Sequence, residues 1–397
     1  MKPLTITSFT LTTALGVGKD KNFAALRAEE TGLHPCDFFD VADIPCWIGK
    51  VKGLDEFTLP GNWAHFDCRN NRLALLILEQ DGFRDAVSKT IKTYGADRVG
   101  CFIGTSTSGI HQSELAYIER EKNHQQQLPE WYDYQGTHLT SSGAEFVQQA
   151  LGLSGPCLAI STACSSSAKV FASAERAIRA GLCDAAVVGG VDSLCLTTLY
   201  GFNALQLVDS DICRPSDSNR KGLSIGEAGG FALVEKASDD TGLRIVGIGE
   251  SSDAHHMSAP HPEGLGAIMS MRQALSNAGL SIDQIDYINL HGTGTRSNDL
   301  SESLAISSLF GTSTACSSTK GWTGHTLGAA GIIESIFSLY ALQNNWAPRS
   351  LNTQSLDEAI SINVLLESKA LKINNVLSNS FGFGGSNCSL IFSEANS

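Results

Sequence analysis

Leu158-Ala159-Ile160-Ser161-Thr162-Ala163-Cys164-Ser165-Ser166-Ser167-Ala168 is the stretch that decides the fold. Its apolar start reads as a buried strand that ends in a turn of small residues. From there Ala168, Phe171, Ala174 and Ile178 recur at spacings of three and four, the period of one helix face. A strand feeding a helix in this way is the unit of α/β architecture. Val99–Gly104, Ala185–Gly190, Ile285–Leu290 and Val376–Ser380 are four further apolar runs that lead into Gly- or Ser-rich turns. After Thr326 a longer helical pattern carries Leu327, Ala330, Ile333, Phe337 and Tyr340.

The order of elements repeats. Lys92 to Gly109 runs helix end, strand, Gly-Thr-Ser turn, and Asn277 to Thr295 runs helix end, strand, His-Gly-Thr turn. Downstream, Ser161-Thr162-Ala163-Cys164 has a counterpart in Ser318-Thr319-Lys320. A duplicated α/β unit is therefore expected, with halves 1–240 and 241–397. The polar run Asp239-Asp240-Thr241-Gly242 marks the seam. Gln112 to Tyr134 is polar and aromatic, and reads as an insertion or cap between core elements.

A chain of 397 residues exceeds what one core usually organises, in keeping with a fold built twice. Its 28 basic against 41 acidic residues leave a net charge of −13, with no basic cluster, which speaks against nucleic acid as a partner. No apolar run reaches the roughly 18 residues of a membrane span, so a soluble, cytoplasmic chain is expected. The 11 cysteines are spread from Cys36 to Cys388 with no Cys-x-x-Cys pair, and most read as packing residues.

Cys164 is different. A thiol at a strand-to-helix turn faces unpaired N–H groups and the positive end of the helix dipole, both of which favour thiolate. That is one route to a cysteine nucleophile. In the second half, His291 caps a strand and opens His291-Gly292-Thr293-Gly294-Thr295, and His325 follows Lys320-Gly321-Trp322-Thr323-Gly324. Asn379-Ser380-Phe381-Gly382-Phe383-Gly384-Gly385 supplies a loop rich in backbone donors.

At these motifs, together with Gly189-Gly190, Gly226-Glu227-Ala228-Gly229 and Gly328-Ala329-Ala330-Gly331, the chain resembles the β-ketoacyl-acyl carrier protein synthases over nearly its whole length. The resemblance implies a thiolase-like duplicated fold, layered αβαβα with two mixed sheets. It also implies decarboxylative condensation of an acyl group on Cys164 with a malonyl unit on an acyl carrier protein, without a cofactor. Cys164, His291, His325 and Lys320 would be catalytic, with Lys320 orienting His325. The N–H groups of Cys164 and Phe383 would form the oxyanion hole. Thr293 and Thr295 would hold the pantetheine arm, and Phe202 and Phe383 would border the acyl pocket. Asp299 and Glu302 are candidate partners of Lys320. The resemblance also places Asn289, Glu334, Ser378 and Asn379 near a monovalent-cation site. A homodimer, or a heterodimer with a chain-length-factor subunit, is implied.

Departures from the family's common pattern include Ser165-Ser166-Ser167 and Gln206, which stands where some relatives carry a basic docking residue. They resemble specialised type II synthases such as those that build aryl polyenes. Arg69 and Arg72 are the candidates for a local patch that would receive an acidic carrier. Two other readings start from the residues themselves. Gly222-Leu223-Ser224-Ile225-Gly226 fits the Gly-x-Ser-x-Gly pattern of a serine hydrolase, although no strand precedes it. His255, His256 and His261 share one loop and could be metal ligands, although the spacing fixes no helical register or carboxylate partner for them. Because nucleophile and histidines are all present, an active subunit is expected over an inactive partner.

Overall fold

A computed structural model of the chain describes residues 1–38, 44–236 and 242–395. Ten strands carry the architecture. In the first half these are β1 (Leu4–Thr13), β2 (Val99–Gly104), β3 (Cys157–Ile160), β4 (Ala185–Asp192) and β5 (Ala228–Lys236). In the second they are β6 (Gly242–Ser252), β7 (Tyr287–Asn289), β8 (Ala315–Ser317), β9 (Asn375–Gly382) and β10 (Ser386–Ala395). The spatial orders are β3-β2-β4-β5-β1 and β8-β7-β9-β10-β6, the same arrangement twice. In each, three parallel strands are followed by two antiparallel ones. The two mixed sheets meet edge to edge where Leu4 and Thr5 pair with Ile245 and Arg244. All five runs singled out in the sequence are strands, and the repeat aligns β2 with β7 and β3 with β8. The seam at 239–241 lies outside the described residues.

Two helices fill the space between the sheets, α1 (Ser166–Arg179) and α4 (Ala330–Asn344), each following the third strand of its half. Between them in sequence come α2 (Leu196–Ala204) and α3 (Arg296–Phe310). Helix α4 is apolar on nearly every side, as a helix covered all round must be. Its Ile332, Ile336 and Phe337 join Ala168 and Phe171 of α1 in the central core. At the crossing, a Cβ on Gly331 would lie 2.5 Å from the Ala168 nitrogen, so only glycine lets the backbones approach. Outer helices complete the five layers. Arg69–Leu78 and Ser142–Leu151 cover the first sheet, and Leu265–Ala278 with α3 covers the second. The cap forms a helix over Ile110–Lys122 and a loop that leaves Trp131 and Tyr134 exposed. Among the described residues no helix is long and apolar enough to cross a membrane.

This layering sets the chemistry. The loops carrying Cys164, His291, Lys320 with His325, and Phe383 all follow the C-terminal ends of strands (β3, β7, β8 and β9), so they open at one end of the molecule.

Candidate active site

Cys164 sits between β3 and α1, preceded by Ala163 at φ +52°, a left-handed turn that turns the chain sharply into the helix. The side chain is buried, and its Sγ lies 3.1 Å from His325 Nε2. Burial pushes the thiol up to about 11, against the Lys320 charge and the Phe383 N–H, which pull it down. The thiolate expected from the helix terminus is thus not the resting form, because desolvation outweighs the dipole. Alkylation by iodoacetamide is accordingly expected to speed up about tenfold per pH unit from neutrality to about pH 10. A rate that levels off by about pH 9 would show an ordinary thiol, and one already flat at about pH 8 an activated thiol.

His291 and His325 are buried, with ring centroids 5.4 Å apart, and the reactive atoms of Cys164, His291 and His325 all lie within 4.8 Å of one another. Burial first and the Lys320 charge second hold both imidazoles well below the usual histidine range, so both are neutral. Their tautomers follow from what faces Nδ1. His325 Nδ1 accepts the Leu327 N–H at 3.2 Å, and His291 Nδ1 faces Lys320 Nζ at 3.4 Å. With each Nδ1 an acceptor, each Nε2 carries the proton. Two neutral N–H donors therefore point into one space beside the thiol.

Lys320 also donates to the His291 carbonyl and to Glu334. This corrects the expected role: Lys320 orients His291 rather than His325, and its acidic partner is Glu334 rather than Asp299 or Glu302. Those two acids hold the His291 loop instead. Glu302 accepts the N–H groups of His291 and Gly292 at 2.9 and 2.8 Å, and burial pushes its carboxyl up to about 7. Asp299 accepts the N–H of Ser216 at 2.8 Å and of Gly294 at 3.2 Å, and pairs at 3.1 Å with Arg220, which is fully buried. Sequence reasoning missed Arg220, because the polar stretch around it reads as a surface loop.

A cleft opens onto these groups, lined among others by Phe202, Thr293, Thr295, Asn298 and Phe383. Thr293 and Thr295 hydroxyls lie 2.8 Å apart, and Phe202 stacks on Phe383 with centroids 5.5 Å apart. The Phe383 N–H faces the Cys164 sulfur.

Other candidates are not assembled this way. Arg69 is bound by Glu227 at 2.6 Å and by Asp55, and Arg72 by Asp67 at 2.6 and 2.7 Å through two nitrogens. Each guanidinium is already neutralised, so the pair is not a free basic patch for an acidic carrier. Ser224 is fully buried, its Oγ accepting the Cys213 N–H at 3.1 Å, which overturns the serine nucleophile. His256 and His261 each turn Nδ1 onto a backbone N–H two residues along, at 3.2 Å; the His255 and His261 rings lie 5.1 Å apart, but among the described residues the three do not bring their ligand atoms together as a metal group.

Residues 71–240 match the β-ketoacyl synthase N-terminal domain and residues 243–354 its C-terminal domain. The chain is 37% identical over 437 residues to a mitochondrial 3-oxoacyl-[acyl-carrier-protein] synthase of Arabidopsis thaliana, covering 98% of this chain and 92% of that one. It is 31% identical over 412 residues to 3-oxoacyl-[acyl-carrier-protein] synthase 2 of Coxiella burnetii, covering 98% of each. Among solved structures, it superposes with TM-score 0.92 and 36% identity on a chain of the complex between the ketosynthase ApeO and its chain length factor ApeC from Xenorhabdus doucetiae, covering 99% of this chain and 98% of that one.

Proposed function

The chain belongs to the β-ketoacyl synthase family, acyltransferases that condense thioesters, and from that premise we propose how its own residues divide the reaction. The observation that carries the proposal is the meeting of one thiol, two neutral Nε2–H donors and the Phe383 N–H at the floor of one open cavity.

The first step is acyl transfer from the pantetheine thioester of an acyl carrier protein. The thiolate fraction of Cys164 attacks the carbonyl carbon, and the N–H groups of Cys164 and Phe383 receive the negative oxygen. Collapse breaks the old C–S bond, and the departing pantetheine thiolate takes a proton from water, balancing the one that Cys164 lost to water on ionising. Thr293 and Thr295 hydrogen-bond the arm along the cavity wall, while Phe202 and Phe383 border the acyl chain.

A malonyl thioester then takes the vacated arm site. As its C–C bond breaks and carbon dioxide leaves, the electron pair moves onto the thioester oxygen, which lies between His291 Nε2–H and His325 Nε2–H. Neutral imidazole is the right donor there. It stabilises the enolate without being acidic enough to protonate and waste the carbanion. The carbanion attacks the acyl-Cys164 carbonyl, and the released thiolate regains a proton. The product is a 3-ketoacyl thioester two carbons longer.

Asn289 and Glu334, both buried, leave the Asn289 amide and Glu334 Oε2 without hydrogen-bond partners. With Ser378 and Asn379 nearby in the family pattern, that oxygen set fits a monovalent cation, which would add positive charge beside Glu334 and Lys320. No step depends on it. The sheet-edge strand β3 exposes Leu158 to 55%, and the likeness to a ketosynthase–chain length factor complex supports pairing with a related subunit. The 11 free thiols fit a reducing, cytoplasmic setting.

The test is intact-mass analysis with an acyl-loaded carrier. One acyl group per chain is expected, discharged on adding malonyl carrier with release of carbon dioxide and a product extended by two carbons. A chain that is never acylated, or a product without loss of carbon dioxide, would exclude this reading.

A further inference from the structure

Asp192 ends β4 with its carboxylate fully buried, and nothing in the reaction described above uses it. Six donors converge on it. Thr105 Oγ1, the Ser106 N–H and hydroxyl, and the Thr107 N–H and hydroxyl come from the loop after β2, at 2.6–3.2 Å. The sixth is the Gly328 N–H at 2.6 Å, from the other half of the molecule. Burial raises its carboxyl while this cage of donors pulls it back. A carboxylate so enclosed acts as a rivet between the two halves.

What it fastens is the turn beside His325. Gly328 has no room for a side chain, since a Cβ would lie 2.7 Å from Asp192 Oδ2 and 2.6 Å from the Ser106 nitrogen. Leu327, next to it, is held at φ +55°, which a leucine adopts only under constraint. The peptide N–H that enters this turn, that of Leu327, is donated to His325 Nδ1, its plane set by Thr326 at φ −87° and ψ +27°, and the left-handed Leu327 joins that plane to Gly328. We propose that Asp192 is the positioning residue that sets the tautomer of His325: it pins Gly328 and with it the turn over 326–328, whose Leu327 N–H keeps Nδ1 an acceptor and Nε2–H turned into the active site. The two histidines then have separate devices, Lys320 for His291 and Asp192 for His325. The catalytic consequence rests on the reaction proposed above, whereas the tautomer does not.

The test is nitrogen–proton correlation spectroscopy of the full chain labelled in its histidine imidazoles. His325 in the parent is expected to show only the Nε2–H form. Asp192→Asn, which keeps the shape but turns an amide donor toward other donors, is expected to produce a mixed or Nδ1–H signal. Its condensation should fall about a hundredfold while acylation of Cys164 stays within about threefold. Ser106→Ala removes one bond to the same carboxylate but leaves Gly328 pinned, and is expected to keep the Nε2–H form. An Nδ1–H form in the parent overturns the proposal whether or not the variants fold. An unchanged tautomer in Asp192→Asn, or the same change in Ser106→Ala, overturns it as well. Failure of the catalytic reading would look different: a parent chain that takes no acyl group.

Discussion

Cys164→Ala is expected to carry no acyl group after incubation with an acyl carrier thioester, and to lose condensation by at least about 10⁴-fold, as nucleophile deletions do elsewhere. No neighbouring thiol can substitute. Cys213 is one competitor, hydrogen-bonded at 3.5 Å to the carbonyl of Thr293 at the cleft wall, but it is buried and pushed up to about 12. It points into the backbone rather than into the space between the histidines. Cys164→Ser should be equally unlabelled at neutral pH, since a hydroxyl in the same dry site ionises far less than the thiol. Carbon dioxide release from a malonyl thioester should survive in Cys164→Ala, because His291 and His325 keep their donors. The two half-reactions would then be separated in one variant. An acyl label retained in Cys164→Ala would move the nucleophile elsewhere, with Cys213 the first position to examine.

Periodicity made the layers legible. Apolar runs of strand length followed by helical spacing identified β2, β3, β4, β7 and β9, because buried parallel strands carry uninterrupted apolar residues. The repeat was visible because the two halves keep the same order of strand and small-residue turn, although few residues match. The site was legible where its residues stand in local motifs, as Cys164, His291 and His325 do. Partnerships across the chain were not. Arg69 looks like a free charge until Glu227, 158 positions away, is seen to bind it. Lys320 meets Glu334, in the second turn of α4, only through the way the chain folds back between them. Asp192 and Arg220 gave no signal, since a buried ion is distinguished from a surface one by its tertiary neighbours and not by its flanks. The state of the Cys164 thiol escapes the sequence for a related reason. The helix terminus can be seen in the sequence, whereas the burial that outweighs it cannot.

His291→Ala and His325→Ala are each expected to cut condensation and malonyl decarboxylation by about 10²–10³-fold, the usual cost of removing one donor to a developing oxyanion. Acylation should stay within a few-fold, because the acyl oxyanion is held by the N–H groups of Cys164 and Phe383. The two losses should also combine less than multiplicatively, since both donors serve one oxygen. Protonation state gives a second handle. Both rings lie well below the usual histidine range, so the donors are neutral imidazoles above and below pH 6.5 alike. Carbon dioxide release should therefore stay level as pH falls from about 8 to 6. An imidazolium donor would instead make the rate rise over that interval. Lys320→Ala should resemble His291→Ala in the split between the two steps, because it frees His291 Nδ1 to carry the proton and turns a donor at Nε2 into an acceptor. Carbon dioxide release and acyl labelling, measured separately on each variant, decide the matter. Equal loss of both steps would mean that the rings only shape the cavity, and a rate rising toward pH 6 would mean that the working donor is charged.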